Sequence, residues 1–325
     1  GAASGAKAID FKASGEWLVG FGLGDGSLIK DVDNKKRHHE DTFNAGQRVR
    51  LQLDAVASES LSGTVFFEIG DQMWGNAESG GALGADGKVV KVKNAYIDWM
   101  VPNTDLKLRM GLQAVALPNV AGGSAIMDGD AAAVVASYQF NENVGLTAFW
   151  ARPYNDNGGY KSQWSGQTYD NYMDNMDMFA VLLPLTFDGV KVTPWVMYAA
   201  MGPGMFDNLG DKGPGNAWDR ASTGMISGFQ GTDWNDTYGN AFWAGITGEV
   251  TYWDPFRIAW DVNYGSAAYA DQKMNREGWL ASLLLEYKLD WGTPGLYGWY
   301  STGDDNNPRN GSERMPTVSA NGNND

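Results

Sequence analysis

Residues 42–57 restrict what this chain can become more than any other stretch. Their odd positions, Phe43, Ala45, Gln47, Val49, Leu51, Leu53 and Ala55, are apolar but for Gln47, while the even positions hold Arg48, Arg50 and Asp54. Side chains alternate across a strand, so one face is apolar and the other charged. A soluble sandwich turns the apolar face inward. A transmembrane barrel turns it to lipid and leaves the charges to a wet lumen. One strand fits either, so the choice falls to whether the pattern recurs and how its repeats are joined.

The pattern recurs along the whole chain. Residues 10–23 set Phe11, Ala13, Trp17, Val19 and Phe21 against Asp10, Lys12, Ser14 and Glu16. The 42–57 strand turns at 58–60 into another run with Leu61, Val65, Phe67 and Ile69 on one face. Further hairpins join 95–101 to 106–112, 134–140 to 144–150 and 179–183 to 190–198, then 242–250 to 256–264 and 279–289 to 296–300. Turns of about two to five residues between alternating runs are hairpin signals.

The connections alternate in length. Between the hairpins lie long polar segments at 25–41, 71–88, 152–174 and 201–240, rich in Gly, Asn and Asp. Loops of that length are uncommon inside compact soluble domains. Short turns at one end and long loops at the other are the normal condition of outer-membrane barrels. Aromatic residues gather near strand ends: Trp99, Tyr138, Phe140, Phe149, Trp150, Trp253, Phe256, Trp291, Tyr297 and Trp299. Amphipathic rings there suit the interfacial girdles of a membrane barrel.

Composition agrees. The chain is 13% aromatic, yet its mean hydropathy is −0.36, as dyad alternation requires. No run approaches the roughly 20 apolar residues of a membrane helix. The absence of cysteine excludes a disulfide framework and thiolate metal centres. A net charge of −15 disfavours nucleic acid as a partner.

Residues 1–8, GAASGAKA, read either as the remnant of a signal peptide, ending in an A-x-A pattern, or as a plain small-residue terminus. Residues 9–325 form one porin β-barrel in this reading. Alternation gives about 13 strands. A barrel in lipid has no open edge and, in single bacterial chains, an even number of strands. The expected fold class is therefore all-β, a transmembrane antiparallel barrel of about 16 strands when complete, with C-terminal strands missing here.

Three segments carry a family resemblance: KASGEWLVGFG, NAYIDWMVPNTDLKLRMGLQAVALPN and DMFAVLLPLTFDGVKVTPWVMYA. They resemble the outer-membrane homotrimeric porins of sulfate-reducing, Desulfovibrio-type bacteria over essentially the whole chain. The resemblance implies a trimer of barrels in the bacterial outer membrane of a Gram-negative cell. Each barrel would be a water-filled channel for passive diffusion of small hydrophilic solutes and ions. The final strands and terminal aromatic of such proteins are not in the sequence.

The resemblance also places residues 114–130 where general porins fold a loop inward. Its less polar character (Val115, Leu117, Val120, Ile126, Met127) suits packing on the inner wall, and an ordinary surface loop stays open as the alternative. Pro118, Asn119, Asp128 and Asp130 are the candidate constriction residues. On the wall, Arg48, Arg50, Lys107, Arg109, Arg257 and Lys288 are the pore-lining basic candidates. Asp54, Glu68, Asp98, Glu249, Asp261 and Glu286 are the acidic ones. Basic rows facing loop carboxylates would set up a transverse field that screens solutes by charge. The wall is near neutral by this count, so the excess negative charge belongs to the loops and points to weak cation preference.

Two clusters invite a metal and are set aside. His38 and His39 lie adjacent in a charged loop without a spaced partner. The acidic tracts at 155–159 and 304–310 match no complete calcium pattern, which leaves room for a weak loop-bound calcium and no other cofactor. The only two histidines lie in that first loop and no G-x-S-x-G occurs, so no enzyme is expected. Two alternatives remain. One is a substrate-selective channel using loop aromatics Trp164, Tyr169, Tyr172, Trp218 and Trp234; the other is a soluble extracellular β-protein binding a ligand through its long loops.

Overall fold

The computed structural model describes residues 9–24, 42–85, 87, 90–155, 160–161, 168–169, 175–202, 224–226, 239–305, 307 and 309–318. The expected leader remnant, His38, His39 and the loop residues Trp164, Tyr172, Trp218 and Trp234 lie outside them. The chain divides into two compact units, Gly1–Trp99 and Met100–Asp325.

In the first unit, β1 (Asp10–Gly24), β2 (Thr42–Ser58), β3 (Leu61–Met73) and β4 (Val90–Met100) form an antiparallel meander. The register places Phe11, Leu53, Val65 and Ala95 on one face, and Lys12, Asp54, Thr64 and Tyr96 on the other. The β2–β3 turn is tight, at Glu59 and Ser60, as the hairpin pattern requires.

The second unit continues the scheme. It holds β5 (Lys107–Ala116), β6 (Asp128–Gln139), β7 (Gly145–Asn155), a two-strand ribbon of β8 (Tyr160–Lys161) and β9 (Thr168–Tyr169), and β10 (Asn175–Leu182). Then come β11 (Leu185–Phe187), β12 (Val190–Met201), β13 (Gly239–Val250), β14 (Phe256–Ala268), β15 (Arg276–Tyr287) and β16 (Gly295–Ser301). All pairings are antiparallel between sequence neighbours, save that β7 skips the ribbon to pair β10. β10 and β11 both pair β12 and amount to one strand interrupted at Leu183 and Pro184. Proline has no N–H to offer a ladder, but its carbonyl still accepts from Gly145 N–H at 2.9 Å. Counted so, the meander strands of the two units number thirteen, and the fold is all-β and antiparallel.

The two faces of the second unit are inverted relative to a soluble sandwich. On β14 the residues Ala259, Asp261, Asn263, Gly265 and Ala267 are buried, while Phe256, Ile258, Trp260, Val262 and Tyr264 share the opposite face. β12 repeats this, with Ala199 at 0% exposure and its neighbour Val196 at 44%. The packed face carries small and polar residues together with Trp195, Trp243 and a set of methionines. The other face leaves large apolar side chains open.

What covers the packed face is the chain itself. Residues 117–127, 224–226 and 312–318 cross it and are bonded to one another: Val318 N–H donates to Ile126 O and Thr317 N–H to Gly224 O, both at 2.8 Å. Trp243 Nε1–H donates to Pro316 O at 2.8 Å, with its ring over Gly265, where an added Cβ would lie 2.5 Å from the indole. Met127, Met176, Met178, Met197, Met201, Met225, Met274 and Met315 fill the space between segments and wall. Flexible thioethers suit such irregular gaps. Val115, Leu117, Ile126 and Met127, the less polar residues of 114–130, are part of this packing.

The crossing also requires the sheet of this unit to curve. Only four residue steps lead from Ala116, at the end of β5, to Val120, which bonds to Asp261 on β14. Four residues reach about 14 Å. β5 and β14 stand six strand spacings apart in the strand order, about 29 Å on a flat sheet. A flat sheet would leave the loop too short to reach even with the side chain's own length. The sheet is therefore concave toward the packed face.

Candidate functional site

Side chains on the charged face of the first unit form a ladder of alternating sign. Arg50 lies 2.9 Å from Glu68 and 3.5 Å from Glu16, and Glu68 also meets Lys93 Nζ at 3.8 Å. The four charges come from β1, β2, β3 and β4 in order: Glu16, Arg50, Glu68, Lys93. Arg48 binds Asp71 through two bonds of 2.7 and 2.9 Å. Asp54 accepts from Thr64 Oγ1 at 2.6 Å and from Gln52 Nε2. Asp98 sits on the same face, opposite Ser62.

The second unit has its own ladder, also four strands wide. Lys191 of β12 meets Glu249 of β13 at 3.6 Å, Arg257 of β14 meets Glu249 at 2.6 Å, and Arg257 meets Glu286 of β15 at 2.5 Å. Register puts these residues on the packed face near the short-turn end of the unit. Lys107 and Arg109 carry the parity of Gln113 and Val115, and so lie on the packed face of β5. Lys288 lies just beyond β15, its N–H bonded to Pro255 O in the turn region, and is exposed rather than part of the wall ladder.

Within their own units, Arg48, Arg50 and Arg257 are paired with acids rather than standing as bare cations. Each is bonded to an acid on an adjacent strand or in the same sheet, which neutralises the wall locally.

Asp261 has a different role from the lumen lining expected of it. It is 1% exposed and lies beneath residues 117–127. Its oxygens accept from Val120 N–H at 2.9 Å, Ala121 N–H at 2.7 Å and Ser282 Oγ at 3.2 Å, and also from the Thr247 hydroxyl. A buried carboxylate is tolerable only when its lone pairs are filled in this way. Asn119 Oδ1 accepts from Gly122 N–H at 2.9 Å and Ser124 Oγ from Met127 N–H at 3.3 Å, so the turn is held internally as well. Thus residues 117–127, with Pro118 and Asn119, lie on the packed face. Asp130 does not join them: it is exposed and shares the parity of Ala132 and Val134 on the open face. Asp128, at the foot of the segment, lines the cleft described next.

Beside the anchored segment is a cleft of about 650 Å³, bounded by Asn119, Ser124, Asp128, Ser282, Tyr297 and Trp299. Tyr297 and Trp299 were expected at the membrane interface. Register puts them opposite Leu284 and Ser282 on the inner parity of β16, because outer positions there belong to Leu296, Gly298 and Tyr300. Phe149 is likewise on the packed face and buried. Alternation already sets Trp150 and Leu296, Gly298 and Tyr300 on the other face; the girdle expectation followed nearness to a strand end and took no account of parity.

The remaining aromatics do mark two rows on the open face. At the long-loop end, Trp150, Phe179, Tyr198 and Phe242 are cross-strand neighbours in sequence of strands β7, β10, β12 and β13. Here Trp150 Nε1–H and Arg152 both donate to Asp177, at 2.7 and 2.8 Å, and the guanidinium sits 5.3 Å from the Trp150 ring. At the short-turn end, Phe256 packs edge-on against Tyr287 at 4.8 Å and Tyr138 against Phe140 at 4.9 Å.

Outside the strands, Tyr269 is half-buried and donates to Met225 O at 2.7 Å; desolvation of its phenol pushes it well above the usual range. Asp304, Asp305 and Glu313 bring carboxylate oxygens within 4.8 Å of one another, short of the roughly six to eight oxygens calcium takes. Asn310 Nδ2 already bridges Asp305 and Glu313.

No family model matches the chain, and no curated protein matches it in sequence. Among solved structures, it is similar to the outer-membrane expressed OmpT of Vibrio cholerae (12% identity, 98% of this chain and 96% of that one, TM-score 0.39). It is also similar to OmpF of Salmonella typhi in complex with daunomycin (11%, 94% and 82%, TM-score 0.44). A third is the outer membrane channel DcaP of Acinetobacter baumannii (13%, 91% and 98%, TM-score 0.37). All three likenesses lie below a TM-score of 0.5, and the functional reading rests on the chain's own geometry.

Proposed function

We propose that this chain is a porin-type channel of the bacterial outer membrane, passing small hydrophilic solutes and ions by diffusion. One observation carries the reading: large apolar side chains such as Phe179, Val196, Phe242, Ile246 and Val262 stand open on one face, while the ionised ladder and Asp261 stand on the face crossed by a loop. Water would penalise such an open face, whereas lipid matches it. The aromatic rows support a membrane setting. From Phe256 to Tyr264 is about 27 Å along the strand, or about 20 Å after a tilt of about 35–45°, close to the apolar band of about 25 Å in barrels.

In this reading residues 117–127, anchored on Asp261, narrow the passage, and the charge ladders keep the rest of the wall wet. Local neutralisation of the ladders suits weak ion selectivity. Assembly as a homotrimer, and kinship with the porins of sulfate-reducing bacteria, rest on the sequence resemblance. A selective variant of the same reading is favoured by the aromatic cleft beside the anchored segment.

The test is single-channel recording of the purified protein in planar bilayers, with reversal potentials across a salt gradient. Large steps in groups of three, with a small reversal potential, are expected. A protein that stays monodisperse in water without detergent and opens no channels would overturn the reading.

A further inference from the structure

We infer that the cleft at Tyr297 and Trp299 is a binding subsite for a neutral pyranose, a reading that rests on the channel proposed above and names one solute class for it. The first observation is placement. Trp299 is 67% exposed and Tyr297 49% exposed, on the inner parity of β16, where they flank the polar turn of residues 117–127. Aromatic faces set beside polar groups form a platform for a partner that has an apolar face and hydroxyls together. The C–H face of a pyranose is such a surface, and it meets the negative face of a π-system.

The second observation is the hydrogen-bonding complement. Ser124 Oγ accepts from the N–H groups of Ile126 and Met127, which leaves its own O–H to donate. Asn119 uses Oδ1 on Gly122 N–H, which leaves its amide N–H groups as donors. Ser282 gives its hydrogen to Asp261, which leaves its lone pairs to accept. Donors and acceptors therefore ring the aromatic platform together, and sugar hydroxyls both donate and accept.

The third observation is charge. Asp128 is the one charged residue among those lining the cleft. A negative charge at the rim disfavours anionic solutes. The close approach of the loop fixes the platform as well: a Cβ on Gly122 would lie 3.0 Å from the Tyr297 hydroxyl. At about 650 Å³ the cleft is of a size to hold one or two sugar rings.

The experiment uses the full chain in detergent micelles, with maltotriose titrated against intrinsic tryptophan fluorescence and by calorimetry, and the same sugar added to bilayer recordings. Sorbitol, with hydroxyls but no rigid apolar face, and glucuronate, an anion, are the comparison solutes. Maltotriose should bind and interrupt the current; sorbitol and glucuronate should do neither. Trp299→Ala should weaken binding about tenfold, equivalent to about 1.4 kcal/mol, with Trp299→Phe recovering most of it. Equal binding by sorbitol, or maltotriose binding unchanged in both Trp299→Ala and Tyr297→Ala, would overturn the inference. Binding in micelles without any conductance would instead sink the channel reading and leave the subsite standing.

Discussion

The backbone N–H of Ala121 donates to the buried carboxylate of Asp261 at 2.7 Å, although 140 positions separate them in sequence. That bond, with its companion from Val120, fixes a turn of chain across the packed face. Asp261→Asn keeps the size of the side chain but replaces one acceptor with an N–H₂ group that faces a donor. Charge-assisted bonds contribute about 1.5–3 kcal/mol each, so the segment should loosen without loss of the sheet. Single-channel conductance should rise by about half or more and become noisier. Conductance identical to the parent protein would show that residues 117–127 do not limit flow.

The same bond shows where sequence reasoning stopped. Alternation groups Glu249, Arg257, Asp261 and Glu286 on one strand face, and Arg50 with Glu68 on another, as the pairing register does, because parity is a local property of a strand. It could not place Asp261 under a loop, since the loop's backbone donors carry no side-chain signature. The girdle expectation for Tyr297 and Trp299 fails for a different reason: nearness to a strand end says nothing about the face on which a ring stands. Met127 was legible as an apolar residue of the inward loop, whereas Met225, Met274 and Met315 lie outside the strands and carry no period to be read.

Arg257 joins two carboxylates, Glu249 and Glu286, that stand on strands either side of β14. Arg257→Gln leaves both acids without their shared cation on the packed face. Two like charges then repel in a partly buried setting, so the unfolding temperature in detergent should fall. The wall also gains one net negative charge, so the reversal potential in a salt gradient should shift toward cations. Arg257→Lys should recover the potential but not all of the stability, since an ammonium lacks the fork that reaches both partners. A variant with unchanged potential would show that this ladder stands outside the conducting path.

Val262 and Ile246 face each other across β13 and β14 on the open face, well inside the two aromatic rows. Val262→Arg therefore tests what solvent that face meets. In a bilayer it should cost about 2–4 kcal/mol near the midplane and lower the yield of folding into liposomes. On a water-exposed sheet the same change should stay within about 0.5 kcal/mol. The comparison of liposome refolding yields for Val262→Arg and Val262→Leu distinguishes the two.

Tyr269 holds the 224–226 segment by donating to Met225 O, and its phenol is raised above the ordinary value near 10 by burial. The sign follows from proton counts. Below that ordinary value the phenol is protonated in both folded and unfolded chains, and the segment's stability is unaffected by pH. Above it the unfolded phenol loses its proton while the buried one keeps it, so the unfolded state gains and folded stability falls as pH rises. Alkaline titration in detergent should thus release this contact from about pH 10 upward, seen as an increase in proteolytic cleavage near residues 224–226. Tyr269→Phe cannot ionise and also loses the bond to Met225 O. It should be less stable at neutral pH by about 1–3 kcal/mol, yet show no such alkaline step. An alkaline step of the same size in both proteins would place its origin in another group.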